Sequence, residues 1–229
     1  MKWRYLLPLV GLVAGGVQAD SDPWENFNRD IYQFNDFFDR NLFKPVAIFY
    51  HRATPRIVKT GVHNFFVNLS EISVVANDFL QGEFNDMVFD TMRFVTNTTV
   101  GIGGLIDVAG KAGIQHHNTD FGITLTKFNW TESRYIVIPF LGPSTIRDAT
   151  GRAVDYLAFS VWPHTERRTR TPVRALDSID TRAQLLEQER AMETIAVDRY
   201  IFMRDAYMQH RAYVKDPTVV DNALGEPPL

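Results

Sequence analysis

The chain has 229 residues with 24 basic and 27 acidic side chains, 17 Phe, 8 Tyr, 4 Trp and no cysteine. A formal charge of −3 provides no basic face for a general nucleic-acid binder. The lack of cysteine excludes disulfides, thiolate metal sites, a cysteine nucleophile and a lipid-bearing cysteine within these residues. So many aromatic side chains in one or at most two domains require a large core or a non-aqueous neighbour.

Residues 1–19 read as a signal peptide: Lys2 and Arg4 are the charged end, Tyr5 to Val17 the apolar stretch, and Val17-Gln18-Ala19 the small-residue cleavage site. The apolar stretch is broken by Pro8 and glycines and falls short of the roughly 20 residues a spanning helix needs. Its removal takes two of the 24 basic residues and brings the charge near −5. No later segment approaches about 18 uninterrupted apolar residues.

The spacing predicts a helix over 24–42. Phe27, Ile31, Phe34 and Phe38 form one stripe, Asn28 falls off it, Asp22-Pro23 supplies the cap, and the helix stops before Pro45. The clearest period lies over 61–81, with Val62, Phe65, Phe66, Leu69, Ile72, Ala76, Phe79 and Leu80 on one side and Gly82 as C-cap. A third helix runs from about Phe84 to Thr98, its apolar face formed by Met87, Val88, Thr91, Met92 and Val95, and stops at Gly101, Gly103 and Gly104.

Residues 121–142 alternate in their first half and are continuously apolar in their second. This predicts a hairpin whose tip is Asn129, Trp130, Thr131, Glu132 and Ser133. An isolated hairpin is marginal in water, so it must lean on the helices or on something outside the protein. Ser144 then caps a helix through Tyr156 and Phe159, and 162–174 reads as a basic loop bounded by prolines. Helices follow over 178–192 and 198–213, and the proline-containing 216–229 reads as a disordered tail. The fold class is mostly α, a single helical domain over 20–215.

Catalytic and cofactor motifs are weak. The cluster "GIGGLID" has Ile106 where a dinucleotide fingerprint needs glycine, lacks the P-loop Lys-Ser/Thr pair, and follows a helix, so a tight turn or hinge is the better reading. His116 and His117 are adjacent and point in different directions, which suits surface loop histidines and not metal ligands. Ser144 lies in no nucleophile elbow. No metal, cofactor or bond-making chemistry is expected. Two pairs, Arg147-Asp148 and Arg204-Asp205, sit among apolar and aromatic residues; they are either surface ion pairs or the polar lining of an apolar passage.

Six stretches, in order, resemble the MlaA/VacJ family: "DPWENFNR" at 22–29, "RFVTNTTVGIGGLIDVAG" at 93–110, "DFGITLTKF" at 120–128, "YIVIPFLGPSTIRDATG" at 135–151, "DTRAQLLE" at 180–187 and "DRYIFMRDAYMQHR" at 198–211. The resemblance implies a ring-like helical bundle with in-plane amphipathic helices, lying in the inner leaflet of the bacterial outer membrane beside one short hairpin. Its amphipathic channel would remove mislocalised phospholipid from the outer leaflet and pass it to a periplasmic carrier, with a trimeric outer-membrane porin as neighbour. Carried over, Trp24, Phe27, Ile31, Phe34 and Phe38 belong to a membrane-interface helix. Gly101, Gly103 and Gly104 form a turn near the channel, and Asp107, Arg147, Asp148, Arg204 and Asp205 its polar side. Family members carry a lipidated cysteine at the mature start, which this sequence lacks. The implied location is the periplasmic side of the outer membrane. The competing readings are an exported enzyme acting on lipid or envelope material through Asp107, Arg147, Asp148 and the histidines, and an interaction module that docks an envelope protein.

Overall fold

A computed structural model describes residues 22–215; the predicted signal peptide and the predicted tail lie outside that range. Helix α1 (Glu25–Phe38) runs through a π turn (Asp39–Phe43) into α2 (Lys44–Ala53). The predicted stop before Pro45 therefore does not occur. The Lys44 N–H reaches back to the Asp39 carbonyl, shifting the ladder by a residue, and Pro45 falls in the first turn of α2, where a missing N–H costs little. Helix α3 (Arg56–Gln81) ends as predicted at Gly82, whose φ of 76° is the left-handed cap, and α4 (Phe84–Thr99) returns alongside it. A short α5 (Val108–Lys111) follows the glycine turn.

Residues Phe121–Lys127 are helical, α6, and not the first arm of a hairpin. The Asp120 carboxylate accepts from the Ile123 N–H at 3.0 Å and so starts a helix. Gly122 then lies against Gly151, where an added Cβ on Gly151 would stand 2.4 Å from the Gly122 nitrogen. The hairpin is formed by β1 (Tyr135–Ile138) and β2 (Gly142–Thr145), antiparallel, with Tyr135 opposite Thr145 and Ile138 opposite Gly142. Its tip is Pro139, Phe140 and Leu141, with Phe140 at φ 62°. Asn129 to Ser133 are instead the connection from α6 to β1.

Thr145, and not Ser144, caps α7 (Ile146–Val154) by accepting from the Asp148 N–H; Ser144 is buried in β2. A π turn (Asp155–Phe159) and a 3-10 turn (Trp162–His164) lead to α8 (Arg167–Gln184), which occupies most of the segment predicted as a loop. Pro172 is tolerated inside α8 because it sits on the exposed side, where the carbonyl it leaves without a donor can be hydrated. The helix breaks at Leu185 rather than opening at Ser178, and α9 (Leu186–Ile195) and α10 (Arg199–Lys215) follow. Asp198 caps α10 as predicted, taking the Tyr200 N–H at 2.9 Å.

The elements close a circuit: β1 packs on α1, α2 on α8, α8 on α3, α3 on α6, α6 on α7, and α7 on β2. The result is a ring-like helical bundle with one two-stranded hairpin. Within it, Tyr135, Val137 and Tyr200 form a small apolar core, with Ile31, Tyr32 and Tyr207 against it.

The polarity of the helices is inverted. Among the described residues the largest fully buried side chains are Glu71, Asn28, Asn77, Thr124, Asp78, Asp90, Asp180 and Ser144. In α3 the buried face is Asn68, Glu71, Val74, Asn77 and Asp78; in α4 it is Asp90, Arg93 and Asn97. The apolar stripe of α4 points outward, with Val88, Met92 and Val95 exposed, whereas that of α3 is half-buried from Val62 to Ala76 and exposed at Phe79 and Leu80. Ile57 and Phe49 are exposed to 82% and 73%. No helix among the described residues is long and apolar enough to cross a membrane.

Candidate functional site

Amphipathic periodicity puts one polar residue per turn on the inner faces of α3 and α4, and these faces meet. The Arg93 guanidinium donates to Glu71 at 2.8 Å, to the Ile114 carbonyl, and to Asp107 at 3.3 Å. Asn97 donates to Asp107 at 2.9 Å and accepts from the Val108 and Ala109 N–H groups. Asp107 also caps α5 through Gly110. Burial alone would raise the Asp107 carboxyl, but the Gly110 N–H, Asn97 and Arg93 outweigh it and hold the group below the ordinary carboxylate range.

This cluster lines a cavity of about 680 Å³, within the roughly 300–1,000 Å³ common for ligand sites. Ile57, Leu105 and Ile106 form its apolar wall; Arg93, Asp107, Lys111 and His116 form its polar one. The turn at Gly101, Gly103 and Gly104 leads straight into Leu105 and is braced: the Gly104 N–H donates to Asn97 at 2.8 Å and the Ile106 N–H to Gly101 at 2.9 Å. Of the two sequence readings, tight turn or hinge, the geometry is that of the turn.

The other predicted polar residues form two separate sets. Arg147 donates to Asp148 at 3.0 Å and to the carbonyls of Trp130 and Thr131 at 3.2 and 3.1 Å. Asp148 also receives the Tyr207 hydroxyl at 2.7 Å and Arg211 at 2.9 Å, and Arg211 reaches on to Asp120. Burial would raise the Asp148 carboxyl, yet Arg211, Tyr207 and Arg147 together hold it below its ordinary value. Burial and the neighbouring Asp148 push the Tyr207 hydroxyl up to about 12. Arg147 and Asp148 are thus a buried pair, joined by Arg211 of α10; the surface ion-pair alternative does not hold for them. Arg204 and Asp205, paired at 2.9 Å, lie about two turns before Arg211 on the same helix, in a partly exposed setting.

Trp24, Phe27 and Phe34 of the predicted interface helix are exposed, whereas Ile31 and Phe38 are half-buried. Arg134 lies over the Trp24 ring at 5.4 Å. The buried residue of α1 is Asn28: its amide donates to the Tyr135 carbonyl at 3.3 Å and accepts from the Val137 N–H at 2.9 Å, completing the free edge of β1. Asn35, two turns on, does the same for Ile138 and Phe140. Phe34, Phe38 and Phe140 then meet tilted or edge-on with centroids 4.8 to 5.3 Å apart, so the true hairpin tip adjoins α1.

The family model for the MlaA lipoprotein matches residues 20–214. The chain belongs to the MlaA family. Similar relatives include the "Intermembrane phospholipid transport system lipoprotein MlaA" of Escherichia coli K12 and of Shigella flexneri, each 37% identical over 217 residues, or 90% of this chain and 84% of the relative. The Haemophilus influenzae protein of that name is 29% identical over 212 residues, with the same coverage. A solved chain described under "Structural basis for maintenance of bacterial outer membrane lipid asymmetry" is similar at 32% identity with a TM-score of 0.75, over 86% of this chain and all of that one.

In this MlaA family member, the sequence reading missed Glu71, Asn77, Asp78, Asp90, Arg93 and Asn97. Their signal was available: on α3 and α4 they recur at helical spacing beside the apolar stripe. The histidines are not loop ornaments either. His116 Nδ1 stands 3.0 Å from Glu71, and His117 Nδ1 lies between Asp78 and Asp90.

Proposed function

We infer that this chain transports phospholipid in the bacterial envelope and helps to maintain outer-membrane lipid asymmetry, the role carried in the names of its MlaA relatives and of the similar solved chain. The observation that carries the reading is the inverted polarity. A protein that buries Glu71, Asn77, Asp78 and Asp90 while exposing Phe27, Phe37, Phe49, Ile57, Phe79, Phe84 and Phe89 is suited to an apolar surrounding and a polar interior.

The lipid route is assigned to the amphipathic cavity. Lys111 and the Arg93–Asp107 pair would face the head group, and Ile57, Leu105 and Ile106 the acyl side. Arg147, Asp148, Arg204 and Asp205 are assigned to the wall behind it, where Asp148 ties α10 to the ring through Tyr207 and Arg211 and Arg147 holds the connection leading to the hairpin. The protein sits on the periplasmic side of the outer membrane, held through its exposed aromatic surface. It makes and breaks no bond, takes lipid from the outer leaflet and passes it to a periplasmic carrier beside a trimeric porin.

The test is the lipid content of protein extracted in mild detergent, with the detergent sensitivity of cells lacking the gene. Bound phospholipid and a weakened barrier are expected. Lipid-free protein together with an unchanged barrier would refute the reading.

A further inference from the structure

Among the described residues the buried acids have hydrogen-bond partners, except for Asp78 and Asp90. Glu71 is held by Arg93, Asp155 by Ser73, Asn77 and the Phe121 N–H, Asp180 by Tyr50, and Asp148 by two arginines. Asp78, in the last turn of α3, and Asp90, in α4, are both 0% exposed. All four of their carboxylate oxygens lack a hydrogen-bond partner, and so does the buried Nδ1 of His117, which is aimed at them. Carboxylates buried without partners are costly enough that native folds either neutralise them or give them a cation.

The spacing suits a cation. His117 Nδ1 lies 3.4 Å from Asp78 Oδ1 and 3.5 Å from Asp90 Oδ2, within ion-pair range but not aligned for hydrogen bonds. One atom from each residue falls within 4.8 Å of the others. Ligands placed about 2.0–2.2 Å from a tetrahedral zinc stand roughly 3.3–3.6 Å from one another, which matches the two His117 separations.

We propose that Asp78, Asp90 and His117 form a divalent-cation site, with zinc the best fit, which pins the connection between α5 and α6 onto the α3–α4 hairpin. Two carboxylates and a neutral imidazole balance the charge of the ion, and water completes the coordination from the partly exposed His117 side. The ion takes the place of a proton on Nδ1, which leaves to solvent. The consequence reaches the cavity, because His116, the adjacent residue, lines it and faces Glu71. Cation binding at His117 therefore sets the position of one cavity wall.

The test uses untagged full-length protein in detergent, stripped with a chelator and titrated with Zn²⁺, with Mg²⁺ and Ca²⁺ in parallel. One zinc per chain and a raised thermal midpoint are expected, with Mg²⁺ at least about tenfold weaker because it dehydrates reluctantly and prefers oxygen ligands. His117→Gln, at a partly exposed side chain that leaves the helices intact, should lower zinc affinity about tenfold or more and abolish the thermal shift; Asp90→Asn should do the same. If the stripped protein takes up no zinc, or if His117→Gln takes up zinc as well as the unaltered chain, the proposal is overturned. A further overturning result is Asp90→Asn raising stability while the unaltered chain ignores zinc, because that pattern belongs to a proton shared among the three groups.

Discussion

Asn28 acts as a piece of β-strand carried on a helix. Its amide fills one donor and one acceptor of the β1 edge, in a site with no access to water. Asn28→Ala would strand both the Tyr135 carbonyl and the Val137 N–H. Leaving buried groups unpaired costs about 1–3 kcal/mol each, so a loss on the order of 2–5 kcal/mol is expected in denaturant unfolding. Asn28→Asp keeps the acceptor for Val137 but sets a buried carboxylate against the Tyr135 carbonyl and against the Asp22 carboxylate, to which the Asn28 amide donates at 3.0 and 3.1 Å, and should cost at least as much as Ala. Asp148 makes a different prediction, in pH. Its folded carboxyl is held below the ordinary value near 3.9, so the folded state binds fewer protons than the unfolded one in that range. The stability it contributes is present above the unfolded pKa and is lost as pH falls through the lower folded one. A thermal-midpoint series from neutral pH into acid should show this decline, and Asp148→Asn should flatten it while lowering the midpoint at neutral pH. An unchanged acid limb in that variant would assign the decline to other carboxylates.

At the scale of elements, what could be read from the sequence depended on whether the signal was local. The end of α3 at Gly82 and the start of α10 at Asp198 each rest on a residue whose conformation or capping group decides the matter alone. The stretch 121–127 lacked such a signal, because alternation of Phe121, Ile123 and Leu125 with small residues fits a strand as well as a short helix. The contact that decides it, Gly122 against Gly151, is distant in sequence. That misreading displaced the hairpin tip. The distinction can be tested: Phe140 and Leu141 are exposed to 59% and 62% at the true tip, and a large apolar side chain immersed in lipid is worth up to about 1.5–3 kcal/mol. Phe140→Ser with Leu141→Ser should weaken retention on phospholipid vesicles about tenfold or more, with unchanged helicity. Shortening 129–133 should instead destabilise the fold, because Arg147 loses the carbonyls of Trp130 and Thr131. The glycine turn adds a third case. At Gly104 φ is 88° and an added Cβ would meet the Asn68 side chain at 2.6 Å; Gly104→Ala should therefore cost roughly 1–3 kcal/mol in backbone strain alone.

For the whole molecule, the sequence showed amphipathic helices but not which stripe faced in, because periodicity locates the two faces of a helix without saying what lies outside it. In water the apolar stripe turns inward by default; here Asp90, Arg93 and Asn97 are inside α4 while Val88, Phe89, Met92 and Val95 are outside. The arrangement is favourable only if the outer surface meets something apolar, since leaving it in water would forgo the dominant folding term. The absence of native cysteine allows this to be measured directly with single-cysteine variants. Cysteine at Phe49, Phe89 or Leu157, all exposed and apolar positions, should react slowly with a charged, membrane-impermeant maleimide in reconstituted vesicles and quickly after detergent is exchanged for an amphipol short of full coverage. Cysteine at Glu166 or Arg168, exposed positions on the charged start of α8, should react quickly in both. Uniform fast labelling at Phe49, Phe89 and Leu157 in vesicles would mean that water covers the outer surface, and the inverted polarity would then require a protein partner over that surface in place of lipid.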